Sequence, residues 1–237
     1  MEAQRLDKFI SSQLAGVSRK DARELIRRGE VSVNGRTVKE PEHKLFPSED
    51  SVMLGGKPVG YKRFLYIMLN KPAGVICATR DRLSETVTEL LPEELRREGL
   101  FPAGRLDKDS VGFVLITDDG ALAHRLLSPK SHVPKTYFVG LRDPIDKNAA
   151  EDFLRGVTID GGEVCLPAEL KAVSEKECLL TLHEGKYHQI KRMFACRGNE
   201  VVYLKRISIG GAALDPKLSE GHARELTPDE VGKLIDQ

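Results

Sequence analysis

The segment Gly104–Gly120, GRLDKDSVGFVLITDDG, constrains this chain more than any other. Its apolar run from Val111 to Ile116 reads as a strand that a sheet must bury. Asp118-Asp119-Gly120 then closes that strand with turn chemistry, because Asp tolerates tight turns and Gly supplies positive φ. Two charged residues, Arg105 and Asp107, stand just before the run. In extended chain, residues two apart point to one side, so the pair can share a surface. The arginine would keep the carboxylate ionised and aimed, and the strand would fix both. That arrangement suits a carboxylate nucleophile or base, although taken alone it is more often a surface ion pair.

Composition narrows the function classes. Of 237 residues, 40% are hydrophobic, enough for a core in one large domain or two smaller ones. No apolar run approaches a membrane span, and the opening MEAQRLDKF lacks the basic-then-apolar order of a signal peptide. Cys77, Cys165, Cys178 and Cys196 lie far apart without a C-x-x-C pair, so free thiols in a reducing cytoplasm are expected. With no Gly-x-Gly-x-x-Gly after a strand and no P-loop, no nucleotide cofactor is expected. His124 and His188 have no partner at metal-ligand spacing, so no metal is expected either. Net charge is only +1, but between Gly185 and Arg206 six cations (Lys186, Lys191, Arg192, Arg197, Lys205, Arg206) face one acid, Glu200. A local basic surface on a neutral protein is compatible with nucleic acid.

Two pieces of chain follow from the patterning. In residues 1–58, Leu6, Phe9, Ile10 and Leu14 recur at helical spacing. Ser18 with Asp21 makes a capping box for a second helix bearing Ala22, Leu25 and Ile26, and Gly29 ends it. Val31–Val33, Asn34-Gly35 and Arg36–Val38 then spell a hairpin. On the second helix Arg19, Arg23 and Arg27 form one basic ridge, flanked by Lys20 and Arg28, which suits an RNA backbone. Through RLDKF at Arg5–Phe9 and SRKDARELIRRGEVSVNG at Ser18–Gly35, the piece resembles the S4 RNA-binding domain. That resemblance implies binding of structured, mainly ribosomal, RNA through Arg5, Arg19, Lys20, Arg23, Arg27 and Arg28.

The stretch Gly55–Gly60 reads as a linker into a catalytic piece, residues 59–237. Strands are expected at Phe64–Leu69, Val75–Ala78, Val111–Thr117, Thr136–Leu141, Leu170–Val173, Cys178–Leu182 and Tyr203–Ile209. Helices are expected at Thr86–Leu91, Ala121–Leu127, Asn148–Arg155, His188–Cys196 and Asp229–Ile235. Strands outnumber helices without strict alternation, so the expected class is α+β, a mostly antiparallel mixed sheet with flanking helices.

Four separated segments, NKPAGVICA (Asn70–Ala78), GRLDKDSVGFVLITDDG, PKTYFVGL (Pro134–Leu141) and EGKYHQIKRMF (Glu184–Phe194), together look like the RsuA-type pseudouridine synthases, which also carry an S4 domain. HRLLSPKSHVPKTY and EGKYHQIKRMFACRGNEV look closest to members acting on small-subunit 16S rRNA. The resemblance implies that Asp107 is the catalytic aspartate, that Tyr137 stacks on the target base and assists at C5, and that Lys191 is the basic partner of the aspartate. Lysine there gives a point charge in place of arginine's planar fork. Arg105 would hold the place vacated by a flipped base, and Ile190 would wall the pocket. Lys71 and Arg192 are further expected substrate contacts. A monomer acting without cofactor on 16S rRNA or a small-subunit assembly intermediate is expected. Alternatives are a large-subunit rRNA uridine, a non-catalytic S4-type assembly factor, and metal-dependent hydrolysis by Asp107, Asp109, Asp118 and Asp119.

Overall fold

A computed structural model describes residues 3–235. The chain forms two compact units. One runs to Leu65 and takes in Leu91–Leu100; the other comprises Tyr66–Leu90 and the chain from Phe101 onward.

In the first unit, β1 (Gln4–Arg5) leads directly into α1 (Leu6–Gln13), and α2 (Arg19–Arg27) follows. Ser18 caps α2 as expected: its hydroxyl accepts from the Asp21 N–H while the Asp21 carboxylate accepts from the Ser18 N–H. β2 (Val31–Val33) and β3 (Arg36–Thr37) form the hairpin, with Asn34 and Gly35 both at positive φ, the geometry of a tight primed turn. β4 (Lys44–Leu45) pairs with β1, while β5 (Val52–Leu54) joins β2 to β6 (Lys57–Pro58). Gly55-Gly56 is therefore not a linker but a hairpin turn between β5 and β6, both glycines at positive φ. Leu6, Phe9, Ile10, Ala22, Ile26, Val31 and Leu45 close the core between the helix pair and the strands.

The second unit is a mixed sheet built on β7 (Tyr66–Lys71), β8 (Phe101–Pro102), β9 (Val111–Thr117), β10 (Lys135–Leu141), β13 (Glu169–Ala172), β14 (Glu177–Leu182), β15 (Val201–Ile209), β16 (Ala212–Ala213) and β17 (Ala223–Glu225). Its main order is β13-β14-β10-β15-β9-β7-β17, and only the β15–β9 pair is parallel. A small hairpin, β11 (Thr158–Ile159) with β12 (Glu163–Val164), stands apart from it. β9 is buried along its whole length, as its apolar run requires. Gly112 permits the parallel join: at φ 100° it lies where any Cβ would collide with the Arg206 backbone. The flanking helices are α3 (Gly120–Leu127), α4 (Ala149–Arg155), α5 (Gln189–Ala195) and α6 (Pro228–Lys233).

Two expected elements are absent. Val75–Ala78 makes only an isolated bridge between Ile76 and Thr86. Thr86–Leu91 is a single turn, closed by Glu89 bonding the Thr86 N–H (2.7 Å) and hydroxyl (2.9 Å). Pro92 stops it from growing into a helix, since proline disfavours helical geometry at the residue before it.

Candidate active site

The aspartate is carried on an irregular loop between β8 and β9, and the loop is fastened from below by Lys71. The Lys71 side chain is fully buried, and its ammonium donates to the carbonyls of Pro72 (3.0 Å), Lys108 (3.3 Å) and Ser110 (2.7 Å). Burial pushes its pKa below the ordinary lysine value, against the opposing pull of Cys77, Asp109 and Asp107. Lys71 is thus not a substrate contact, as the sequence suggests, but a clamp whose three donors are taken up by backbone. The Gly74 N–H to the Lys108 carbonyl (2.8 Å) and the Leu106 N–H to Cys77 Sγ (3.2 Å) tie the same loop down.

Above the clamp lies a cleft of about 90 Å³. Leu106 and Asp107 line it from the loop, Tyr137 from β10, Leu182 from β14, Leu204 from β15, and Ile190 and Lys191 from α5. Tyr137 and Ile190 are buried, and apolar side chains share the lining with Ser110, His188, Gln189 and Lys191 around a partly exposed carboxylate. Lys191 Nζ stands 3.4 Å from Asp107 Oδ2, and His188 Nε2 stands 3.4 Å from Asp107 Oδ1. The tighter lysine contact is to Asp109, 2.7 Å to each carboxylate oxygen. Burial works against the Lys191 charge, but the Asp109 hydrogen bond and the two carboxylates outweigh it and hold the pKa above its ordinary value. The hydrogen bond from Lys191, in turn, lowers the pKa of Asp109. One ammonium is therefore shared by two carboxylates and cannot be lost easily in this cleft.

Arg105 also lines the cleft; it is exposed and, among the described residues, its guanidinium has no hydrogen-bond or ion-pair partner. The expected side-by-side pair of Arg105 and Asp107 is not made. Arg192 does not reach the cleft. Its guanidinium is occupied by Asp160 Oδ1 (2.5 Å), Glu163 Oε2 (3.1 Å) and the carbonyls of Asp160 (2.9 Å) and Tyr187 (3.1 Å), which correct its reading as a substrate contact. Asp109 and His188, read from the sequence only as a candidate metal ligand and as a histidine without metal-ligand spacing, are the neighbours of the Asp107–Lys191 pair. Both carried a signal: Asp109 repeats the two-residue spacing past Asp107, and His188 precedes Lys191 by one helical turn. Neither Asp118 nor Asp119 lines the cleft. Asp119 caps α3, accepting from the Ala121 and Leu122 N–H groups at 3.0 Å, and it takes the Tyr66 hydroxyl at 2.7 Å. Among the described residues no group of three His, Cys, Asp or Glu could hold a metal ion.

The basic face of the first unit is more ordered than a simple ridge. Asp7 is buried, and three guanidinium groups converge on it: Arg5 (3.0 Å), Arg23 (2.9 Å) and Arg19 (3.4 Å). Burial alone would raise the Asp7 pKa, yet the hydrogen bonds from Arg5, Arg23 and Arg19 hold it well below the usual carboxylate range. Arg5 also pairs with Glu42 (2.9 Å), and three cations on two anions leave surplus positive charge in a fixed geometry. Lys20 and Arg27 are exposed and have no ion-pair partner among the described residues, whereas Arg28 lies near Glu24 (3.5 Å) and Glu30 (3.6 Å).

Comparison with known proteins follows the same division of the chain. Residues 4–50 match the S4 domain, and residues 65–196 match the RNA pseudouridylate synthase family. The chain is 48% identical to the RNA pseudouridine synthase YtzG of Bacillus subtilis, with 97% of this chain and 98% of the relative covered. It is 46% identical to the ribosomal small subunit pseudouridine synthase A of Vibrio cholerae (97% and 99% covered) and 44% identical to that of Escherichia coli (98% and 100%). A crystal structure of a pseudouridylate synthase superposes with a TM-score of 0.69 at 40% identity, covering 97% of this chain and 99% of that one. A family match across more than half of the chain, and relatives aligned end to end, make this protein an S4-bearing member of the RNA pseudouridylate synthases.

Proposed function

We propose that this enzyme converts a uridine of small-subunit 16S rRNA to pseudouridine, with Asp107 as its catalytic carboxylate. The observation that carries the assignment of Asp107 is its position: a carboxylate lining the cleft that Tyr137 and Ile190 also line, with a lysine ammonium 3.4 Å away. The small-subunit target is supported by the names of the Vibrio cholerae and Escherichia coli relatives.

The reaction is an isomerisation, so it needs no net oxidant or group donor. Asp107 can attack C1′ as the C1′–N1 bond breaks, the uracil leaving with the electron pair. Alternatively it can take the C2′ proton, giving a glycal. The freed uracil turns and C5 bonds to C1′, as the C1′–Asp107 ester bond breaks and its electron pair returns to the carboxylate on the first route, or as C2′ takes its proton back from Asp107 on the second. The C5 proton is then removed and N1 is protonated. Each route needs Asp107 ionised in a place poor in water, where a lone carboxylate would be costly. Lys191 compensates that charge, and it is shared with Asp109 until substrate excludes water from the cleft. Tyr137, Ile190 and Leu204 hold the detached base against escape, keeping its rebonding effectively intramolecular. A stacked uridine cannot reach this cleft, so the base is flipped out, and Arg105 takes the space it leaves. The Arg5–Arg19–Arg23 cluster and the free Lys20 and Arg27 hold nearby RNA through its phosphates. The enzyme is proposed to act as a cytoplasmic monomer.

Carbodiimide mapping of pseudouridine in rRNA from cells lacking the protein tests the target. One 16S position is expected to lose its signal and regain it with the wild-type gene. An unchanged 16S map with a lost 23S signal would reassign the substrate to the large subunit.

A further inference from the structure

The turn before α5 carries an aromatic step that the isomerisation does not use. Tyr187 is 72% exposed, the most exposed aromatic side chain among the described residues. One face of its ring is covered by the His188 imidazole, with centroids 3.8 Å apart and planes 22° from parallel. The other face is open. His188 in turn touches Asp107, so the open face lies one stacked ring beyond the group proposed to do the chemistry.

The step is rigid. His188 sits at φ 47°, ψ 34°, a conformation that side-chain-bearing residues rarely adopt. The turn is stapled around it: Arg192 donates to the Tyr187 carbonyl (3.1 Å), the Lys186 N–H donates to Gln189 Oε1 (2.9 Å), and Gln189 Nε2 donates to Glu184 Oε1 (2.7 Å). Lys186 is also paired with Glu163 at 3.0 Å. This gives Arg192 its purpose, as a brace for the turn. The Tyr187 hydroxyl has no hydrogen-bond partner among the described residues, so what the turn presents is the ring face itself.

We propose that the open face of Tyr187 is a stacking subsite for the nucleobase adjacent to the uridine in the Asp107 cleft. The proposal rests on the reading of that cleft as the uridine pocket. Every base has a π-face, so such a shelf serves any neighbour without reading its sequence. Its surroundings suit RNA: Arg105, with no partner among the described residues, and the Lys191 ammonium line the adjoining cleft, and the acids around the turn are paired, Asp160 and Glu163 with Arg192 and Lys186, Glu184 with Gln189, and Asp107 with Lys191 and His188. Once a uridine is flipped, its neighbour loses a stacking partner, and the Tyr187–His188 step replaces it.

The test compares Tyr187→Ala with Tyr187→Phe, using a 16S rRNA transcript as substrate and thermal melting as a check on folding. Tyr187→Ala is expected to raise KM roughly ten- to hundredfold, the range of a lost base–aromatic stack, with the loss falling on KM and not on kcat. Tyr187→Phe, which keeps the ring, is expected to restore the wild-type KM. An unchanged KM in Tyr187→Ala overturns the subsite. So does a loss confined to kcat, which would make the ring merely a support for His188. Filter binding of the transcript, with each variant placed in an Asp107→Asn background, separates the two claims. Weakened binding by Tyr187→Ala, with no pseudouridine formed by the wild type, would sink the substrate reading and keep the shelf. Full binding beside an active wild type would sink the shelf alone.

Discussion

At the residue scale, the site is a balance of two carboxylates and a shared lysine. Removing the lysine should leave Asp107 without its compensating charge, so Lys191→Ala is expected to lower kcat roughly a hundredfold, the scale of one charged group at a reacting centre. RNA affinity, set elsewhere, should change far less. A kcat within threefold of wild type would mean that Asp107 does not rely on Lys191. Lys71→Met tests the clamp: losing hydrogen bonds from a charged donor should destabilise the second unit by roughly 1.5–3 kcal/mol, read by denaturant melts. Asp107, Tyr137, Lys191 and Ile190 were legible because four separated segments stood together, and the structure brings those four residues to one cleft. Lys71 and Arg192 were legible as charges but not as roles. Whether an ammonium faces a ligand or three carbonyls depends on the loop that folds over it, and no local pattern carries that information.

At the element scale, capping chemistry was the best-read signal, since it is decided within four residues. The Ser18 box forms as read, whereas Asp119, read as a turn residue, caps α3, and Thr227 makes a second box that was not read. Ser18→Ala is expected to cost about 1 kcal/mol of first-unit stability. The turn at Thr86 shows the limit: a short helical pattern marks a turn but not how far a helix runs. Gly55-Gly56 shows another, because a glycine pair marks a hairpin and a linker alike until its flanks are seen to pair. A pH effect belongs at this scale too. Arg224 bonds Glu230 of α6 at 2.7 Å and Asp215 at 2.8 Å, and the Arg224 hydrogen bonds hold the Glu230 pKa down to about 2 from 4.5. A depressed carboxylate stabilises the fold above its unfolded pKa, and that contribution is lost as pH falls through the folded value. The protection of α6 amides against exchange, relative to their intrinsic rates, should therefore fall as pH drops from about 4.5 to about 2, and Glu230→Gln should flatten that dependence.

At the scale of the whole molecule, the chain pairs an RNA-holding unit with an isomerising one. The net charge of +1 hides this, because the surplus charge of the first unit is local. Lys20→Glu/Arg27→Glu changes only groups without ion-pair partners, sparing the Asp7 cluster. It should weaken binding of 16S rRNA and reduce the slope of log affinity against log salt by roughly one to two; an unchanged slope would show that these cations do not meet phosphate. The two-piece order was legible in the sequence because the segments resembling the S4 domain all precede those resembling the synthases. The inclusion of Leu91–Leu100 in the first unit was not, since a return of the chain leaves no local mark. The central claim is that Asp107 performs the chemistry without being needed for the hold on RNA. Purified wild type and Asp107→Asn, given the same 16S rRNA transcript, test it in one measurement of bound RNA and pseudouridine formed. The account expects equal binding by both and product from the wild type alone; pseudouridine formed by Asp107→Asn would contradict it.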